Sequence, residues 1–97
     1  MSDAEMKAVL TAESAKLRTA GYSELADRLA DRKERIRVIA PSGDSYHVEF
    51  EGFWDDDEQV DLRVVASIDD GGLRAFLPFT DAFTITPAGT IIEHSTA

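Results

Sequence analysis

Val60-Asp61-Leu62-Arg63-Val64-Val65-Ala66-Ser67-Ile68, followed by Asp69-Asp70-Gly71-Gly72, contains the longest alternating run in the chain. Val60, Leu62, Val64, Ala66 and Ile68 occupy one face of an extended strand, with Asp61, Arg63, Val65 and Ser67 on the other. The Asp-Gly-Gly end tolerates the positive φ of the primed turns and predicts a tight hairpin. Leu73, Ala75, Leu77 and Phe79 would then run back antiparallel. Pro78 has no amide donor, which puts its part of that strand at an edge or an end.

The same period extends upstream. Tyr46, Val48 and Phe50 alternate with His47, Glu49 and Glu51, the pattern of a half-buried strand. Gly52 interrupts that alternation as at a bulge, leaving either Phe53 or Trp54 to turn inward. An acidic loop at residues 55–59 follows. Earlier, Ile36, Val38 and Ala40 alternate with Arg35, Arg37 and Ile39, and Pro41-Ser42-Gly43-Asp44 ends that strand as a turn. Downstream, Phe83 to Thr86, the turn Pro87-Ala88-Gly89, and Thr90 to Glu93 read as a last short hairpin, with His94 onward a frayed tail.

The first third of the chain has helical spacing instead. Ser2-Asp3-Ala4-Glu5 matches a capping box, and Met6, Val9, Leu10 and Leu17 fall near one stripe. Gly21 fits a left-handed C′ position, so the first helix should stop near Ala20. Ser23 would cap a second helix after a two-residue link. Leu25, Ala26, Leu29 and Ala30 form its apolar face, and Arg32, Lys33 and Arg35 gather at its end, where the helix dipole favours positive charge. Helices followed by strands mean α+β: an N-terminal αα-hairpin packed on one face of an antiparallel meander sheet of about four to six strands. Length allows a single domain, residues 1–97, with the helical hairpin at 1–34 and the sheet at 35–93. Val48, Phe50, Leu62 and Val64 should be buried, with Phe50, Phe76, Phe79 and Phe83 under the helices. Glu49, Glu51 and Asp61 should be exposed.

Composition excludes several classes. With 43% hydrophobic and 30% charged residues, the chain is neither disordered nor membrane-spanning by composition. Aliphatic runs such as Val64-Val65-Ala66 fall far short of the ~20 residues a bilayer span needs. Met1-Ser2-Asp3-Ala4-Glu5 has no apolar h-region, so a cytoplasmic location is expected. The absence of cysteine excludes disulfides, thiolate catalysis and cysteine-ligated metals. A net charge of −9 argues against nucleic acid as a partner. That charge is uneven: residues 1–40 sum to +1, whereas residues 41–97 hold only Arg63 and Arg74 against twelve acids and sum to −10. The densest piece is Asp55-Asp56-Asp57-Glu58, followed by Asp61.

Gly52-Phe53-Trp54-Asp55, Ser67-Ile68-Asp69-Asp70-Gly71-Gly72-Leu73-Arg74-Ala75-Phe76 and Pro78 through Phe83 together resemble a small bacterial domain family of unknown function. The resemblance covers the C-terminal half to two-thirds of the chain. It implies a bacterial, single-domain α+β protein and transfers no functional residue, because the family has no assigned activity.

The chemistry-bearing patterns stop short of a site. Asp55-x-Asp57-x-Gln59 begins like a calcium loop, but the sixth position is Val60 where glycine is needed and the twelfth is Ala66 where glutamate is needed. His47-x-Glu49-x-Glu51 puts three polar groups on one strand face, fewer convergent ligands than a zinc site requires, with His94 away in the tail. There is no Gly-x-Ser-x-Gly elbow and no phosphate-binding glycine loop. Asp69, Asp70 and Asp81 could form a carboxylate pair, although adjacent acids on a tight turn usually stabilise the turn. No catalytic residue, cofactor or metal is assigned. The leading expectation is a small acidic cytosolic protein-interaction module, such as an immunity or antitoxin protein inhibiting a basic nuclease. Its partner would touch Trp54, Asp55, Asp56, Asp57, Glu58 and Asp61, since a partly exposed tryptophan beside carboxylates suits an interface anchor. One alternative is a small-molecule-binding or enzymatic domain with a pocket between helices and sheet, using His47 and the acids. The other is a homodimeric structural or regulatory subunit joined through a sheet edge.

Overall fold

The computed structural model describes residues 3–71 and 79–94. Helices α1 (Asp3–Ala20) and α2 (Tyr22–Leu29) precede strands β1 (Lys33–Ile39), β2 (Ser45–Trp54), β3 (Leu62–Asp69), β4 (Phe79–Ile85) and β5 (Ile91–His94). Among the described residues the strands form one five-stranded sheet in chain order, every neighbouring pair antiparallel. Both helices lie on one face, α1 against β3 and β4 and α2 against β2. The α+β meander expected from the alternating runs is the fold observed.

The core lies between these layers. Met6, Leu10 and Leu17 of α1 and Leu25 and Leu29 of α2 meet Tyr46, Val48, Phe50, Leu62, Val64, Ala66, Ile68, Phe83 and Ile85 of the sheet. Phe79 is half-buried beneath the Lys7 ammonium, 4.7 Å from its ring centre. Phe76, the predicted return strand from Leu73 to Leu77, Pro78 and Gly72 lie outside the described residues. The tight return expected at Asp69–Gly72 is not the one that pairs β3: Ile68 stands opposite Phe79, so the strand running back is 79–85, and the Gly71 amide donates locally to Asp69 Oδ1 at 2.8 Å.

Several boundaries differ from expectation. The cap of α2 is Gly21, at φ 90°, and not Ser23, so a single residue joins the helices. A side chain would be strained there, whereas glycine turns the corner and lets its carbonyl accept from the Leu25 amide at 3.1 Å. Ser2 of the capping box lies outside the described residues. Glu5 reaches the β1–β2 turn, where its Oε1 accepts from Ser42 Oγ at 2.7 Å and Tyr46 OH at 2.9 Å. These bonds hold the Glu5 carboxyl below its usual range. Burial, then Glu5, pushes the Tyr46 hydroxyl up to about 12.

The helical hairpin also ends before residue 34. Asp31 adopts φ 55°, its amide donates to Gly52 O at 3.0 Å, and the Arg32 amide donates back to Leu29 O at 2.8 Å. That turn releases Lys33 and Arg35 from the helix end into β1.

Gly52 is not a bulge. Register runs unbroken through Gly52↔Val64, Phe53↔Arg63 and Trp54↔Leu62. Trp54 therefore faces the helices and packs on the core, while Phe53 faces out, 45% exposed. The glycine is needed for close approach instead: a Cβ built there would lie 2.6 Å from Leu29 O and 2.9 Å from Leu29 Cβ. His94 is likewise no tail residue; it lies in β5, opposite Ala82.

A polar knot fastens α1 to the last two strands. The Arg18 guanidinium takes Glu93 through Nε at 2.9 Å and Nη2 at 2.5 Å, and Asp81 Oδ2 through Nη1 at 3.1 Å. Its centre lies 4.6 Å from that of the Phe83 ring, within cation–π range. Buried Ser14 completes the knot by donating to Asp81 Oδ2 at 2.6 Å. Burial pushes the Asp81 carboxyl up, but Ser14 and then Arg18 outweigh it, and the net direction is down. Arg18 also lowers Glu93.

Two outcomes follow. Gly52→Ala should lose about 1–3 kcal/mol as Leu29 is forced off β2, seen as a lowered melting temperature. Arg18→Met should lose a similar about 1–3 kcal/mol at neutral pH. Because both carboxyls are depressed in the folded state, that contribution is complete above the ordinary carboxylate range and fades as pH falls through ~4 and below. Wild type and Arg18→Met should therefore converge in stability in acid, measurable by denaturant titration across pH.

Candidate functional site

The acidic loop is an ordered turn. It begins where β2 and β3 separate, with the Asp55 amide donating to Asp61 O at 2.8 Å. Asp56 closes it from within: its carbonyl accepts from the Gln59 amide at 3.2 Å and its Oδ1 from the Val60 amide at 3.1 Å. Gln59 takes the left-handed conformation, φ 58°, that this closure requires. Tyr22 OH fastens the far side by donating to Val60 O at 2.6 Å. Asp55, Asp56, Asp57 and Glu58 are all exposed, and none forms an ion pair among the described residues. Asp61, expected to be exposed, is half-buried because its backbone closes the loop neck.

One acid of the loop reaches back onto the sheet. Thr84 faces away from the helices yet is only 1% exposed. Its hydroxyl donates to Asp55 Oδ2 at 3.2 Å and lies 2.6 Å from His94 Nε2. Register sets Phe53, Arg63, Thr84 and Ile92 in one row across this open face. Phe53 and Ile92, each nearly half exposed, thus flank the base of the acidic loop.

The His47-x-Glu49-x-Glu51 face has a different character. Opposite these residues β1 presents Arg37, Arg35 and Lys33. Lys33 Nζ lies 3.1 Å from Glu51 and 3.6 Å from Glu49, and Arg35 reaches both Glu49 and His47 Nδ1. Glu49 and Glu51, expected to be exposed, are half-buried by these basic side chains. Glu51 holds the Lys33 ammonium above its usual range, with Glu49 adding to the effect. The pattern is cross-strand charge pairing, which stabilises a sheet face without converging on a reacting atom.

Asp69, Asp70 and Asp81 do not form a common site. Asp69 shares the open face with His47, whereas Asp81 points to the helices and Arg18. Among the described residues no three histidine or acidic side chains converge as a metal requires. A cleft of about 360 Å³ does lie between the helices and the sheet, lined by Glu13, Leu17, Arg28, Glu34, Ile36 and Phe50 among others. It lies on the face opposite His47, and its charges are internally paired, Arg28 with Glu24 and Glu34. Glu34 holds the Arg28 guanidinium above its usual value, with Glu24 adding to it. The expected combination of a helix–sheet pocket with His47 does not occur.

Sequence reasoning missed Phe53, Thr84 and His94. Strict alternation counted from Tyr46 places Phe53 outward; the bulge reading of Gly52 hid this. Comparison of the chain with family models, curated proteins and solved structures yields no match. His47→Ala should leave unfolding free energy within about 1 kcal/mol of wild type, because the ring lies on the open sheet face outside the core and hydrogen-bonds the exposed Arg35 side chain. Denaturant unfolding checks this.

Proposed function

We propose that this protein is a small acidic interaction module whose 55–58 loop binds a basic protein partner, in the manner of an inhibitor masking a cationic surface. One contrast supports the reading above others. The sheet and helix charges described above are largely compensated by neighbours, while Asp55, Asp56, Asp57 and Glu58 stand together, exposed, with no ion pair among the described residues. Such a fixed cluster projects a negative potential that steers a cationic partner. Asp61 holds the neck of the loop, exposed Phe53 supplies apolar area at its base on the open face, and Trp54 lies on the opposite, helix face against the core. Such aromatic contacts slow dissociation, whereas exposed charges chiefly speed association. A cytoplasmic location agrees with this reading, and no described helix is long and apolar enough to cross a membrane.

The test begins with a partner captured from the source cell and purified. Its association rate with wild type should fall steeply as salt rises. Asp55→Asn, Asp56→Asn, Asp57→Asn and Glu58→Gln combined should slow association and flatten the salt dependence, while leaving the melting temperature nearly unchanged. Phe53→Ala should act instead on dissociation, costing about 2 kcal/mol. Salt-independent association, or no change on neutralisation, would show that the acidity only keeps the protein dispersed.

A further inference from the structure

Among the described residues the sheet has one long unpaired edge. Strand β1 runs for seven residues at the end of the strand order, and among the described residues no strand pairs with its outer side. Its side chains alternate in two chemistries. Lys33, Arg35, Arg37 and Ile39 point to the open face, with Ile39 59% exposed; Glu34, Ile36 and Val38 point to the helix side and are only half-buried. The helices lie over β2, β3 and β4, so the helix side of β1 borders the cleft lined by Ile36 and Phe50.

We propose that the free edge of β1 accepts an extended segment of another protein in which acidic and apolar residues alternate. An added strand continues the pleat, so its alternate side chains fall on the two faces β1 already defines. On the helix side, apolar residues would cover the half-buried Ile36 and Val38. On the open side, carboxylates would face Lys33, Arg35 and Arg37, repeating what Glu51 and Glu49 of β2 do on the other flank. Arg37 stands opposite His47 and makes no ion pair among the described residues, so one basic position awaits a partner.

The same charges discriminate against a second copy of this chain. In an antiparallel pairing of two β1 strands, open-face residues must meet open-face residues. The central registers then set Arg35 against Arg37, Arg35 against Arg35, or Arg37 against Arg37, and like charges directly opposite are destabilising. A row of bases on an edge thus rejects self-association while admitting an acidic strand. This site lies on β1, apart from the 55–58 loop, and its occupant has the opposite charge; either proposal can fail without the other.

Two synthetic heptapeptides test the inference, one alternating glutamate with valine and one alternating lysine with valine. Each is titrated into the intact protein while backbone amide resonances are followed. The glutamate peptide should produce saturable shifts centred on residues 33–39, and the lysine peptide should not. Arg37→Glu, at a position without a described ion pair, should keep the fold and weaken the glutamate peptide about fivefold. Arg35→Gln should weaken it as well and controls for position. Equal binding of both peptides, shifts centred elsewhere, or no saturable shift at millimolar peptide would each overturn the proposal.

Discussion

The rest of the architecture depends on a contact made possible by a missing atom. At Gly52 the backbone of β2 comes so close to the last turn of α2 that no side chain fits between them. Ala30 forms a parallel bridge with Gly52, and Asp31 donates its amide to the Gly52 carbonyl. That pairing passes directly into the register Lys33↔Glu51. The helix pair, the turn and the first strand are thereby positioned from one point. An interior packed at crystal-like density has little slack for this anchor to drift.

Charge distribution follows from that register. A slip of one residue would carry Lys33, Arg35 and Arg37 to the helix side and leave Glu49 and Glu51 without partners. In the observed register the basic column of β1 and the acidic column of β2 compensate each other, and Arg18 and Arg28 absorb acids near the helices. Loop 55–58 is left without an ion pair among the described residues. Its neck and turn are closed by the Asp55–Asp61, Gln59–Asp56 and Val60–Asp56 bonds. The cluster and the outer edge of β1 carry opposite charges on one sheet, so the two proposals require occupants of opposite charge.

Much of the fold was legible because alternation reports faces directly. Val48, Phe50, Leu62 and Val64 were assignable to the core from period alone, and each is buried. Errors arose where one residue type supports two explanations. Gly52 reads equally as a bulge or a close approach, and only the position of Leu29 distinguishes them. Gly21 could end the first helix or cap the second, and Ser23 attracted the cap because its side chain is the commoner choice. The candidate site was legible as an acidic run but not as a geometry. Nothing local to Thr84 says that Asp55 and His94 will meet at its hydroxyl, since they join it from different strands and loops. The Arg18 knot was equally invisible, because its acids lie 63 and 75 residues away.

Those separations impose an order on synthesis. Each sheet pairing joins neighbouring strands, so the meander can assemble by successive short hairpins, the kind of local contact that speeds folding. Helix α1 is the exception: it is made before every strand, yet the surface it covers belongs chiefly to β3 and β4. Met6, Leu10 and Leu17 must therefore wait for more than forty residues to be made before the strands they cover exist, with only the short α2 to meet before then. Glu93, the most distant hydrogen-bonded anchor for Arg18, is made 75 residues after it. The growing chain thus carries α1 without its cover until β3 and β4 have been made, and the Arg18 anchor completes only with β5.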